Sequence, residues 1–202
     1  MKTEQHRKSR KENRAVRKKY QQGKHLTLIL SDSIVSLRNK AFNAEIDTRK
    51  EQCIVSKHPG ATTDQMEHNM AYWLRTVRPE RVIISGGINN IIQRPQQAND
   101  PLYIEDTVEE ILDLGRMAKE GGVRNVCILG LLNVNYFDES RSQIDTYQFN
   151  ALLKQRCEVL NFRFIDNSNI PTSKLYDGLH ASPSGLNILK ENILRCFSTH
   201  RY

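Results

Sequence analysis

The sequence predicts an α/β fold, a three-layer α/β/α sandwich built on a five-stranded parallel sheet. Three observations carry that expectation. Five short apolar runs rich in β-formers alternate with stretches whose apolar residues recur at helical spacing. A helix-length connection separates each run from the next, as parallel pairing requires. The runs are near-continuously apolar, as strands covered by helices on both faces are.

The first run, Leu26-Thr27-Leu28-Ile29-Leu30, leads through Ser31-Asp32-Ser33 into a helix near Ser33–Asn43. Glu51–Lys57, centred on Cys53-Ile54-Val55, reads as the second strand, closed by the turn His58-Pro59-Gly60. Thr62, Thr63 and Asp64 offer caps for a helix with Met66, Met70, Trp73, Leu74 and Val77 on one face, ended by Pro79. Arg81–Ser85 is the third strand, stopped by Gly86-Gly87. A loop is expected from Ile88 to Asp100, with Gln93, Pro95, Gln96 and Gln97, and loops of that length are often functional. A helix from about Glu105 turns Val108, Ile111, Leu112 and Met117 inward and stops at Gly121-Gly122.

Val126–Leu132 is the fourth and most apolar strand, followed by a polar loop from Asn133 to Gln143. Tyr147, Leu152, Leu153 and Val159 mark a helix, and Phe162–Ile165 the fifth strand. The last loop, Asn167–Leu179, precedes a helix that opens at Ser182-Pro183, a cap residue with proline in the first turn. That helix presents Leu186, Leu189, Ile193 and Phe197 inward. No segment repeats.

The 202 residues suffice for one domain and an appendage, and 38% are hydrophobic. No apolar run approaches a membrane span, and the basic N-terminus has no apolar stretch behind it. These features predict a soluble, intracellular protein, cytoplasmic or nuclear, with no signal peptide. The net charge of +7 is uneven: residues 1–24 hold ten Lys/Arg against Glu4 and Glu12, leaving 20 basic and 21 acidic groups in residues 25–202. The chain therefore divides into a basic, flexible arm (1–24) and a nearly neutral body (25–202).

In the arm, Arg7, Lys8, Arg10, Lys11, Arg14, Arg17, Lys18 and Lys19 are candidates for RNA or DNA phosphate contacts. Nuclear targeting and a plain solubilising tail fit the same composition. The neutral body argues against a nucleic-acid groove across the domain. Cys53, Cys127, Cys157 and Cys196 are widely spaced, with no C-x-x-C pair, and suit buried thiols better than a zinc site or disulfides.

In a parallel sheet, all loops that follow strands gather at one edge, where ligands bind. Ser33, Gly60, the Gly87–Asn90 segment and Tyr176-Asp177-Gly178-Leu179-His180 all lie on such loops. Acyl transfer to a serine needs a base, a group that orients the base, and donors for an oxyanion. Ser33 fits the nucleophile, His180 the base and Asp177 its orienting carboxylate. The backbone N–H groups of Ser33 and Gly60 and the Asn89 amide fit the oxyanion hole. Taken singly, each has a plainer role. Ser33 or Asp32 could cap the first helix, Asn89 could serve its own loop, and His180 could lie at the surface beside a capping Asp177. His6, His25, His58, His68 and His200 fall in no arrangement this chemistry needs.

Ser33, Gly60, Asn89 and His180, in that order, resemble the four sequence blocks of the SGNH (GDSL-like) hydrolase superfamily over about His25–Phe197. Asp177-Gly178-Leu179-His180 followed by Ser182-Pro183-Ser184-Gly185 is the most specific part. The resemblance implies a flavodoxin-like sandwich and a serine esterase without metal or cofactor. Ser33 would then be its nucleophile, Gly60 and Asn89 its oxyanion donors, and Asp177 and His180 the rest of its triad. Two positions depart from the family: Ser31 stands where glycine is usual before the Asp-Ser pair, and Asn90 where aspartate usually ends the third block. A second similarity, through Pro59-Gly60-Ala61-Thr62-Thr63, Pro79–Ile84 and the basic leader, is to the esterase-type domains of first-reading-frame proteins in animal non-LTR retrotransposons. Those domains accompany RNA binding and self-association. The expected function is hydrolysis of a small ester, deacetylation included. The alternative is a non-catalytic module for nucleic-acid binding or assembly through the arm.

Overall fold

Strands β1 (His25–Ser31), β2 (Glu51–Lys57), β3 (Arg81–Ser85), β4 (Asn125–Leu129) and β5 (Arg163–Ile165) form one parallel sheet in the order β2-β1-β3-β4-β5. The computed structural model describes residues 24–32, 46, 48, 50–93, 103–135 and 139–198. The expected arm and the helix expected near Ser33–Asn43 lie outside the described residues, apart from Lys24 at the arm's end. Helices α1 (Thr63–Val77), α2 (Ile88–Gln93), α3 (Tyr103–Glu120), α4 (Glu139–Val159) and α5 (Pro183–Ser198), with a 3-10 turn at Thr172–Lys174, complete the described elements.

Leu26, Leu28, Ile29 and Leu30 of β1 and Val82, Ile83 and Ile84 of β3 are fully buried, which makes these two strands the centre of the core. Edge strand β2 alternates buried and half-buried residues. Helices α1, α3 and α4 pack side by side, while α5 packs on β5. The five-stranded parallel α/β architecture is thus as the apolar pattern predicts.

Several boundaries differ from expectation, each for a physical reason. The stretch expected as a loop from Ile88 begins as α2, because Ile88, Ile91 and Ile92 recur at helical spacing and pack on the core. Residues 94–100 lie outside the described residues. Strand β4 stops at Leu129, not Leu132. Gly130 N–H still donates to Ile165 O (2.9 Å), but the Asn150 side chain then takes over, accepting from Leu131 N–H (2.7 Å) and donating to Leu131 O (2.9 Å). Helix α4 begins at Glu139, inside the expected 133–143 loop. Its Tyr147 and Val159, expected as helix markers, are exposed. The buried stripe is Phe149, Leu153 and Cys157, at i, i+4 and i+8.

At the amino-terminal edge, Arg81 pairs with Glu51 (2.9 Å) while Thr27 Oγ1 donates to the same carboxylate (3.1 Å). Both charges are buried, and the guanidinium stacks 4.9 Å above the Phe197 ring. This buried ion pair ties together the amino-terminal ends of β1, β2 and β3.

Candidate active site

The connection leaving β1 runs to β2, and the one leaving β2 returns past β1 to β3. The winding reverses between β1 and β3, and in open α/β sheets ligands bind outside the carboxyl ends of the strands at such a switch point. The segment Ser31-Asp32 ends β1 at this point. Asp32 N–H donates to Ser85 O (3.0 Å), and His58 N–H donates to Ser31 O (2.8 Å), so the rim of three strands is tied together. The Asp32 side chain is wholly buried. Ser33 follows directly but lies outside the described residues.

After β2, Ala61 N–H closes the turn onto His58 O (3.0 Å), and Gly60 adopts φ +78°, a left-handed angle that strains other residues. A Cβ at Gly60 would meet nothing within 4 Å. Backbone conformation, not crowding within the protein, thus requires glycine here, and the space above stays open to a ligand. Asn89, buried in the first turn of α2, donates from Nδ2 to Ala61 O (3.0 Å). Gln93 Nε2 donates to Gly60 O (3.1 Å). The fold therefore brings Gly60 and Asn89 together.

Asn90, the departure in the third block, has a structural job. Its Oδ1 accepts from Thr63 N–H (3.1 Å), and its Nδ2 donates to Thr63 Oγ1 and Glu110 Oε2 (both 2.8 Å). An aspartate in its place would set a second carboxylate against Glu110. Ser31, the other departure, is buried and donates from Oγ to Asp32 O (3.2 Å).

Asp177 and His180 meet through two kinds of hydrogen bond. Asp177 Oδ1 accepts the backbone N–H groups of Leu179 (3.0 Å) and His180 (2.7 Å), while Oδ2 lies 2.6 Å from His180 Nδ1. One carboxylate thus folds the turn and orients the ring. Burial alone would raise the Asp177 pKa, but the His180 and Leu179 bonds outweigh it and hold the carboxyl below its ordinary value. The pair stays partly wet, with side chains 22% exposed for His180 and 35% for Asp177. The Tyr176 ring stacks on the imidazole at 5.6 Å, and Tyr176 N–H donates to His180 O (3.0 Å).

This loop follows β5, the far edge of the sheet, so it must be held inward. Asn135, on the segment after β4, donates its N–H to Gly178 O (2.9 Å). Gly178 has φ +77°, and a Cβ on it would sit 2.6 Å from Asn135 Oδ1. A side chain at Gly178 would therefore press on Asn135 and displace the His180 turn.

Sequence reasoning passed over Asn135 and Tyr176, whose partners lie in other loops or across a turn, and over His58. Trp73 Nε1–H donates to Ser56 Oγ (2.6 Å), and Ser56 Oγ lies 2.7 Å from His58 Nε2. Burial lowers the His58 pKa and favours its neutral form. No group of three or more His, Cys, Asp or Glu side chains suited to a metal occurs among the described residues. No helix among them is long and apolar enough to cross a membrane.

No protein-family model and no curated protein matches this sequence. Solved structures match over most of the chain. A GDSL-like lipase from Bacteroides thetaiotaomicron superposes with a TM-score of 0.75 at 15% identity, covering 96% of this chain and 98% of the lipase. A catalytic mutant of an acetylxylan esterase from Geobacillus stearothermophilus gives 0.68 at 17% identity, covering 87% and 94%. A lipase/acylhydrolase from Enterococcus faecalis gives 0.63 at 21% identity, covering 86% and 95%. The chain has the fold of the SGNH (GDSL-like) hydrolases, and its fold neighbours are esterases and acylhydrolases. The retrotransposon similarity finds no counterpart among these structures.

Proposed function

We propose that the protein is a serine esterase with Ser33 as nucleophile, His180 as general base and Asp177 as the group that orients it. The observation that supports this reading is the Asp177–His180 pair, 2.6 Å apart, on the loop after β5 and tied to the segment after β4, while Ser33 follows the end of β1 in the sequence of the same parallel sheet. Ser33 Oγ attacks the ester carbonyl as His180 Nε2 takes its proton, and Asp177 stabilises the imidazolium. The oxyanion accepts from the N–H groups of Ser33 and Gly60 and from the Asn89 amide hydrogen not committed to Ala61 O. Collapse of the tetrahedral intermediate expels the alcohol with the proton from His180, and water then cleaves the acyl-enzyme by the same steps. One fold neighbour is an acetylxylan esterase, so an acetyl ester is the first substrate to try.

A fluorophosphonate probe tests the proposal without a known substrate, because it reports an activated serine. Labelling at Ser33, located by peptide mapping, is the expected result, and a chain that stays unlabelled would refute the proposal. The pH profile gives a second check. Asp177, with its pKa lowered, is ionised throughout the neutral range, whereas an imidazole base acts only when neutral. The value of kcat/KM should therefore fall in acid as the base takes up a proton, with no separate loss from Asp177 in the neutral range. A flat profile would remove His180 from the role of base.

A further inference from the structure

The amino-terminal edge of the sheet, opposite the proposed catalytic groups, holds a cavity of about 440 Å³. Its wall includes Arg81, Lys119, Arg124 and Arg163, and no carboxylate among the described residues. Two thiols also line it, Cys127 from β4 and Cys196 from the last turns of α5. Their sulfurs are 3.2 Å apart, although the residues lie 69 positions apart in sequence. Each residue is only 2% exposed, so the cavity is the way in for a small reagent. No disulfide joins them.

The two thiols are not equivalent. The hydrogen bond with Cys127, and then the positive charges of Arg163 and Arg81, hold Cys196 below the ordinary thiol value against the effect of its burial. The same bond, with burial, pushes Cys127 well above it. Arg163 is fixed against the end of α5 by its bond to Cys196 O (3.1 Å). Once Cys196 gives up its proton, the Cys127 S–H donates to the thiolate. A low-pKa thiol beside a protonated partner is the arrangement in which one sulfur attacks and the other resolves. An S–S bond of ~2.05 Å asks the two sulfurs to close by only about 1.1 Å.

We infer that Cys127 and Cys196 form a peroxide-oxidisable dithiol that closes to a disulfide beside this basic cavity. The Cys196 thiolate attacks one oxygen of the peroxide, the O–O bond breaks, and the departing hydroxide takes a proton to become water. The resulting sulfenic acid is attacked by the Cys127 sulfur. The S–S bond forms, the S–O bond breaks, and the Cys127 proton leaves with a second water. Two thiols are oxidised and one hydroperoxide is reduced. The closed form ties α5 to β4, two elements that α4, β5 and their loops separate along the chain. This inference is independent of the esterase proposal, and either can fail alone.

The test treats the reduced full chain with hydrogen peroxide and maps disulfides in a non-reducing peptide digest. A linked Cys127–Cys196 peptide pair, reversed by dithiothreitol, is expected, with Tm raised by about 5 °C or more in the linked form. Cys157, whose pKa burial pushes up to about 12, should stay unmodified. Oxidation confined to Cys53, or no linked Cys127–Cys196 pair, would overturn the inference. In Cys127→Ser the resolving sulfur is gone but a hydroxyl donor to Cys196 remains, and dimedone should trap a sulfenic acid at Cys196. A wild-type linkage without that adduct would overturn the assignment of Cys196 as the attacking sulfur.

Discussion

Ser33→Ala should reduce hydrolysis of an acetyl ester by about 10⁴-fold or more, and His180→Ala by a similar factor. A hydroxyl at neutral pH is a poor nucleophile unless a base takes its proton as it attacks, so neither group works without the other. The double variant should therefore be no worse than either single one, because the two residues act as a unit. Steady-state rates on p-nitrophenyl acetate, with Tm measured in parallel, check both statements. Additive losses would mean that the two side chains serve separate functions, and an unchanged rate in Ser33→Ala would remove the mechanism.

Asp177→Asn isolates the orienting role from the structural one. Asp177 Oδ1 accepts two backbone N–H groups, and an asparagine keeps that oxygen and the turn it folds. At the other position, the carboxylate Oδ2 that faces His180 Nδ1 becomes an amide N–H₂, which cannot accept the ring proton. The imidazole then loses its preferred tautomer and the charge that stabilises its protonated form. The expected loss is about 10²- to 10⁴-fold in kcat, with KM and Tm close to wild type. Site exposure favours the lower part of that range, since water can replace some of the lost interaction. A rate near wild type would reduce Asp177 to a turn cap.

Much of this architecture was legible in the chain because strands and helices carry their own periodicity. The run Leu26–Leu30 and the stripe Met66–Met70–Val77 both lie where apolar spacing places them. Expectation and structure part where a side chain substitutes for backbone pairing or where polar residues join a helix. Asn150 ends β4 early, and a helix starting at Glu139 replaces the loop that polar composition suggested. The same limit explains the neglect of Asn135, whose meaning depends on a glycine 43 positions away.

By itself the sequence determined the order of the five strands along the chain and the uneven distribution of charge between residues 1–24 and the rest of the chain. It could do so because burial pattern and charge are local properties of a chain. Tertiary structure alone decided that the loop after β5 bends back over β4 to Asn135, that Asn90 serves Glu110 and Thr63, and that Cys196 meets Cys127. Contacts of that kind depend on which distant surfaces the sheet order brings within hydrogen-bond reach, and no spacing rule along the chain encodes them.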